Sequence, residues 1–259
     1  MAGTTWETPG TVFHSGVRGT RVMILGGVHG NEPGGWEAAE AVAEWEVAAG
    51  EVLVVPRANR LSDAALERTL PGFGDLNRLY PGDPNGLPMS RMAAEVIRYA
   101  RAFQPDYLID MHESWVFYNE RGSSNGTAFI GQTVAVGVRG EQLDRVTKVV
   151  EEANTLVTYR ERLVLRTTNS PSGLPEPPRG SDGRPLPVQT PPPAPGVPVP
   201  TPGSSANAGG GTTSLAIGNW VKGCAPILVE LGQMDQPEAR RAEIHQIFAR
   251  TLMGQMGMF

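Results

Sequence analysis

An aliphatic run that stops in glycine limits the folds open to this chain more than any other feature. Arg21-Val22-Met23-Ile24-Leu25 leads directly into Gly26-Gly27-Val28-His29-Gly30-Asn31-Glu32-Pro33-Gly34-Gly35. A β-branched and aliphatic run bounded by glycines reads as a buried strand entering a tight turn. Within that turn His29 and Glu32 stand three apart, and both side chains offer metal-ligand atoms. The flanking glycines let the backbone fold closely enough for the two to converge. Two ligands do not complete a site. A third ligand and a further carboxylate must come from the ends of later strands.

The later pattern supplies such strands. Residues 36–49 place Trp36, Ala39, Val42 and Ala43 on one helical face before Gly50, and 51–55 is a short apolar strand ended by Pro56. Strand, helix and strand in succession point to a parallel or mixed sheet. Upstream, 11–15 and 21–25 flank a short Gly-containing connection and read as a hairpin. Downstream, strands are expected at 106–111, 127–130 and 226–231, with helices at 90–103, 139–156, 213–221 and 237–253. The stretch 57–88 is irregular, and a loop of that length inside a compact domain is usually functional. The expected architecture is one α/β domain over 1–259, built on a single mixed, mostly parallel twisted sheet flanked by helices.

Composition narrows the function classes. The formal net charge is −5 and the Lys and Arg residues form no run, which argues against a nucleic-acid binder. Cys224 is the only cysteine, so there is neither a disulfide framework nor a thiolate metal site. The opening residues do not read as a secretory signal, and no apolar run approaches the roughly 20 residues of a membrane helix. A cytoplasmic location is expected. Residues 170–211 hold more than half of the 23 prolines and end in Gly209-Gly210-Gly211. With almost no large apolar residues, that Pro/Gly-rich insertion reads as a mobile surface loop.

The third ligand candidate is His112, just past the apolar run Tyr107-Leu108-Ile109-Asp110-Met111. Ligands in open α/β sheets gather outside the carboxyl ends of strands, so His29, Glu32 and His112 could meet there despite their separation. Two imidazoles and a carboxylate make the ligand set of catalytic zinc sites. Asp110 is either an imidazole-orienting acceptor or a simple turn residue. Hydrolysis also needs a carboxylate that does not ligate, and Glu230 closes the apolar run Ile227-Leu228-Val229. Burial there would raise its pKa towards the range of a general base. Glu113 is the rival by proximity, ranked lower because adjacent strand residues point oppositely.

His29-Gly30-Asn31-Glu32, Asp75-Leu76-Asn77-Arg78, Asp110-Met111-His112 and Val229-Glu230-Leu231-Gly232 together resemble the ordered motifs of the zinc carboxypeptidase superfamily. The nearest branch in pattern is the succinylglutamate desuccinylase/aspartoacylase family. The resemblance implies one Zn²⁺ per chain on His29, Glu32 and His112, with Glu230 as catalytic acid/base. It also implies that Asn77 and Arg78 hold a substrate carboxylate, which suits a forked guanidinium beside an amide donor. An upstream arginine should polarise the scissile carbonyl, and Arg57, Arg60 and Arg68 all lie in the right loop, with Arg68 favoured. Two departures stand out: 204–211 holds no tyrosine, and one helix is expected after Glu230 where aspartoacylase-like enzymes carry a β domain. The chain therefore reads as a catalytic core. The expected function is zinc-dependent hydrolysis of an amide bond in a small molecule or short peptide with a free carboxylate, by an N-acyl amino acid deacylase or a carboxypeptidase. The alternatives are a catalytically silent metal- or peptide-binding module and an interaction protein that displays the Pro-rich loop.

Overall fold

The computed structural model describes residues 1–167 and 212–259. Among the described residues seven strands form one sheet in the order β1-β3-β2-β4-β7-β5-β6. They are β1 (Thr11–His14), β2 (Arg21–Leu25), β3 (Glu51–Val55), β4 (Tyr107–Ser114), β5 (Thr133–Val136), β6 (Val164–Thr167) and β7 (Ala225–Gly232). The central four, β3, β2, β4 and β7, run parallel. β1 closes one edge antiparallel to β3, while β5 lies antiparallel to β7 and carries β6 parallel beside it. The helices are α1 (Pro33–Val42), α2 (Arg60–Ala65), α3 (Pro88–Phe103), α4 (Glu141–Ala153) and α5 (Glu238–Gln255).

A strand buried on both faces must be apolar throughout, and β2, β3 and β7 are nearly so. Alternate residues serve opposite faces. Val22, Ile24, Val54, Ile109, Met111, Ile227 and Val229 pack under α1, α4 and α5, against Ala38, Val42, Val149, Phe248 and Leu252. Met23, Leu25, Leu53 and Leu108 pack on the other side against α3, through Met92, Val96 and Ile97, with Leu76, Tyr80 and Ile217. Each such side chain contributes on the order of 1.5–3 kcal/mol when fully buried. The alternation decides where the polar strand ends go. Asp110 and His112 continue the Leu108 face, whereas Glu113 continues the Met111 face.

Several expected elements differ from those observed. The 11–15 and 21–25 strands do not pair as a hairpin, because β3 lies between them. The first helix ends at Val42 rather than 49; Trp45 and Val47 pack on the core instead, and the Ala48 amide donates to the Met258 carbonyl. Residues 127–130 form a 3₁₀ turn (Thr127–Phe129), and the strand follows as β5. The 213–221 segment is likewise 3₁₀ over Ser214–Asn219, and β6 was not anticipated. The irregular 57–88 stretch holds α2 and the 3₁₀ turn Leu76–Arg78. The 170–211 insertion lies outside the described residues.

Candidate active site

The loop after β2 is shaped by contacts that leave no room for side chains. A Cβ on Gly30 would fall 1.9 Å from the Ser62 carbonyl oxygen, so only glycine lets this turn lie on α2. Pro33 occupies the first turn of α1, where its missing N–H costs nothing. Glu32 stands at the helix N-cap, yet its carboxylate caps no amide of the helix and turns to the two histidines. The positive end of α1 favours a carboxylate at that point.

His29, Glu32 and His112 are buried and offer ligand atoms that all lie within 4.8 Å of one another. His29 Nδ1 is 2.7 Å from Glu32 Oε1, and His112 Nδ1 is 2.8 Å from Glu32 Oε2. The two Nδ1 atoms face each other at 3.1 Å. Each imidazole is held from behind by a carboxylate: His29 Nε2 lies 2.9 Å from Asp75 Oδ1, and His112 Nε2 lies 2.8 Å from Asp110 Oδ2. In the tautomers whose Nε2–H groups donate to Asp75 and Asp110, both Nδ1 lone pairs would aim at one point. That is the donor set and the outer support of a zinc centre, so the residues fit the ion. The same contacts set the charges within the cluster. Burial alone would pull His112 down, but Asp110 and Glu32 hold it well above its usual value. Burial likewise pushes Glu32 up, yet the two imidazoles keep it well below the usual carboxylate range.

Glu230 is the Cα partner of His112 across β4 and β7, so both project from the same face. Burial pushes its carboxyl up to about 8; the His112 charge works against that rise and Glu32 adds to it. Glu230, His29, Arg68, Asn77 and Arg78 line one cleft of about 300 Å³. Glu113 is turned to the opposite face, where Arg241 Nε donates to Oε1 at 2.7 Å and Gln233 Nε2 to Oε2 at 2.9 Å.

The three candidate arginines separate clearly. Arg57 pairs with Glu40 and stacks on Trp36, with its guanidinium carbon 3.6 Å from the ring centroid. Among the described residues Arg60 reaches only the Glu7 carbonyl, at 3.5 Å. Arg68 enters the cleft, 3.3 Å from Glu32 Oε1 and 3.0 Å from Asp75 Oδ2. Asn77 Oδ1 accepts the Ser214 N–H at 2.8 Å, and its amide nitrogen lies 3.3 Å from His112 Nε2. Arg78 donates to the Asn77 carbonyl at 2.7 Å, and no carboxylate pairs with it among the described residues.

Asp75 carries more of the site than its place in a motif suggested. It accepts from the Asn77 amide as well as touching His29 and Arg68, and its neighbours hold it below the usual range despite burial. Its position two before Asn77 was the available signal. Arg166, Asn125, Thr127, Thr213 and Leu215 also line the cleft, and nothing in their spacing pointed there. His245, on α5, is buried and pushed down to about 3, chiefly by burial and then by the His112 charge, so it stands neutral.

With the geometry in place, residues 18–116 match the family described as "Succinylglutamate desuccinylase/Aspartoacylase catalytic domain". The N-alpha-acetyl-L-2,4-diaminobutyric acid deacetylase of Halomonas elongata is 34% identical over 110 residues, which cover 40% of this chain and 31% of that protein. In fold the chain is similar to a succinylglutamate desuccinylase from Silicibacter (TM-score 0.60, 19% identity, 97% of this chain and 61% of that one). It is similar also to the tripeptide-bound cell shape determinant Csd4 of Helicobacter pylori (TM-score 0.69, 18% identity, 98% and 56%). The fold is therefore the one these solved structures share. Within it the chain resembles the succinylglutamate desuccinylase/aspartoacylase branch, by sequence over residues 18–116 and by fold over nearly its whole length. The chain spans about a third of the curated relative it matches and 61% or less of these two solved structures.

Proposed function

We propose that this chain is a zinc-dependent hydrolase that cleaves an amide bond in a substrate bearing a free carboxylate. One observation supports the reading above all. A buried carboxylate that ligates nothing, Glu230, shares a strand face and a cleft with the His29–Glu32–His112 cluster. One zinc ion, held by that cluster, would supply Lewis acidity and make water easier to deprotonate. Glu230 takes the proton from the attacking water and returns it to the leaving nitrogen. Its pKa, lifted by burial, suits both transfers. Arg68 stabilises negative charge that develops on the carbonyl oxygen. Arg78 and the Asn77 amide hold the substrate carboxylate; Arg78 lines the cleft, with Nη1 donating to the Asn77 carbonyl and no ion pair among the described residues.

Deacylation of an N-acyl amino acid is the first reading, because the relative matched in sequence is a deacetylase. Carboxypeptidase action on a short peptide is the second, supported by the likeness of fold to Csd4. A screen of N-acyl amino acids and short peptides with wild type and Glu230→Gln, each assayed for zinc, tests the proposal. Wild type should hydrolyse one of the two classes, and the variant should keep its zinc while kcat falls by about 10²–10⁴. Zinc-loaded wild type as inert as the variant on every substrate would favour a binding module instead.

A further inference from the structure

Behind the cluster, on the opposite face of the sheet, lies a buried ion pair that the reaction does not use. Arg241 of α5 donates from Nε to Glu113 Oε1 at 2.7 Å, and the pair is almost wholly shielded, with side chains 9% and 0% exposed. A second guanidinium nitrogen, Nη1, donates to the Gln236 carbonyl, which ties the pair to the loop between β7 and α5. The other Glu113 oxygen accepts from Gln233 Nε2 at 2.9 Å, and the same nitrogen lies 2.7 Å from the Asn31 carbonyl. The backbone amide of Glu113 donates to Glu32 Oε2 at 3.0 Å. These bonds join α5, the end of β4 and the His29–Glu32 loop. The packing is tight as well: a Cβ on Gly34 would sit 2.2 Å from Glu113 Oε1 and 2.8 Å from Arg241 Cβ.

Such a pair is a poor way to stabilise a fold. Two desolvated charges recover little net free energy, and an apolar pair of similar volume often does as well or better. The position of this one is informative. It grips the residue next to His112 and, through Gln233, the residue before Glu32. We propose that Arg241 is a positioning residue. Through Glu113 and Gln233 it sets the separation between His112 on β4 and the His29–Glu32 loop, and so the tightness of the zinc centre. This rests on the metal reading given above.

The test is zinc affinity by competition with a chromophoric chelator, measured together with thermal unfolding. Four proteins are compared: wild type, Arg241→Met, Gln233→Ala and the double variant Glu113→Leu/Arg241→Met. Removal of an outer-shell partner typically weakens metal binding by about 10–100-fold, and that loss is expected for Arg241→Met. Gln233→Ala, at a partly exposed position, should fold normally and still bind zinc about tenfold more weakly. The double variant leaves no unpaired buried charge, so it should melt near wild type while its zinc affinity stays low. A pair with a merely structural role predicts the reverse: affinity that returns with the fold. Native affinity in the double variant, or in Gln233→Ala, would overturn the proposal. Wild type that binds no zinc would overturn the metal reading and this proposal with it, and the two failures are told apart by wild type alone.

Discussion

Asp75 shows how much one carboxylate can organise. It holds His29 Nε2 and Arg68 with its two oxygens, so the proposed ligand and the proposed oxyanion donor depend on one side chain. Asp75→Ala should weaken zinc binding by about 10–100-fold, as measured by chelator competition. An unchanged affinity would mean that Asp75 only packs the loop. Asp63 makes a different case. The residue is 2% exposed, and neither carboxyl oxygen has a hydrogen-bond partner among the described residues. Burial pushes it up to about 8, with Arg57 pulling the other way. Unfolded, the group titrates near pH 4. Between about 4 and 8 the folded chain keeps a proton that the unfolded chain has lost, so this group's contribution weakens as pH rises through that window. Asp63→Asn should therefore gain on wild type between about pH 5 and about pH 8 in urea denaturation, whereas parallel profiles would contradict the assignment. At this scale the sequence was informative where residues came in ordered motifs. Asn77 and Arg78 were legible through the resemblance of Asp75-Leu76-Asn77-Arg78 to a family motif, whereas Asp75 itself carried no expected role. Arg166 and Leu215 were not legible, because their place in the cleft comes from chain crossings that no local pattern encodes.

Among elements, the contact of α1 with β4 does most to fix the centre, since Glu32 starts the helix and His112 follows Met111 in the strand. A Cβ on Gly35 would fall 2.5 Å from the Met111 carbonyl oxygen, an atom that cannot move aside. Gly35→Ala should cost about 1–3 kcal/mol in denaturant unfolding and loosen zinc as well. Gly254 of α5 has nothing within 4 Å of its added Cβ, so Gly254→Ala should stabilise by about 0.5–1 kcal/mol. Equal effects at the two glycines would refute the close-approach account. Long apolar strands and amphipathic helices were legible because burial and periodicity are local signals; β3, α3 and α5 came within a few residues of their observed bounds. Pairing was not. The sequence of β1 and β2 suits neighbours, and nothing in it reveals that β3 inserts between them. Four-residue β6, half-buried at the sheet edge, carries too few apolar positions to register.

Taken whole, the described residues form a sheet with helices on both faces, and the candidate site lies at the carboxyl ends of β2, β4 and β7. Among the described residues no helix is long and apolar enough to cross a membrane. Cys224 offers a probe of global opening. It is buried where β7 begins, and burial, with Asp106, pushes its thiol up to about 12. A thiol reagent at mildly alkaline pH should leave it untouched in the native protein and label it fully in denaturant; rapid native labelling would show that this end of the core opens. The order of the four motifs implied a common pocket for residues spread from 29 to 230, and the parallel register of β4 and β7 places His112 beside Glu230. The central claim is that His29, Glu32 and His112 hold one ion, and X-ray absorption spectroscopy of the zinc-loaded protein tests it most directly. The account predicts one zinc per chain with two imidazole nitrogens and carboxylate oxygen at about 2.0–2.2 Å, lost in His112→Ala and retained in Glu230→Gln. Zinc bound equally well by His112→Ala, or a shell without imidazole, would contradict it.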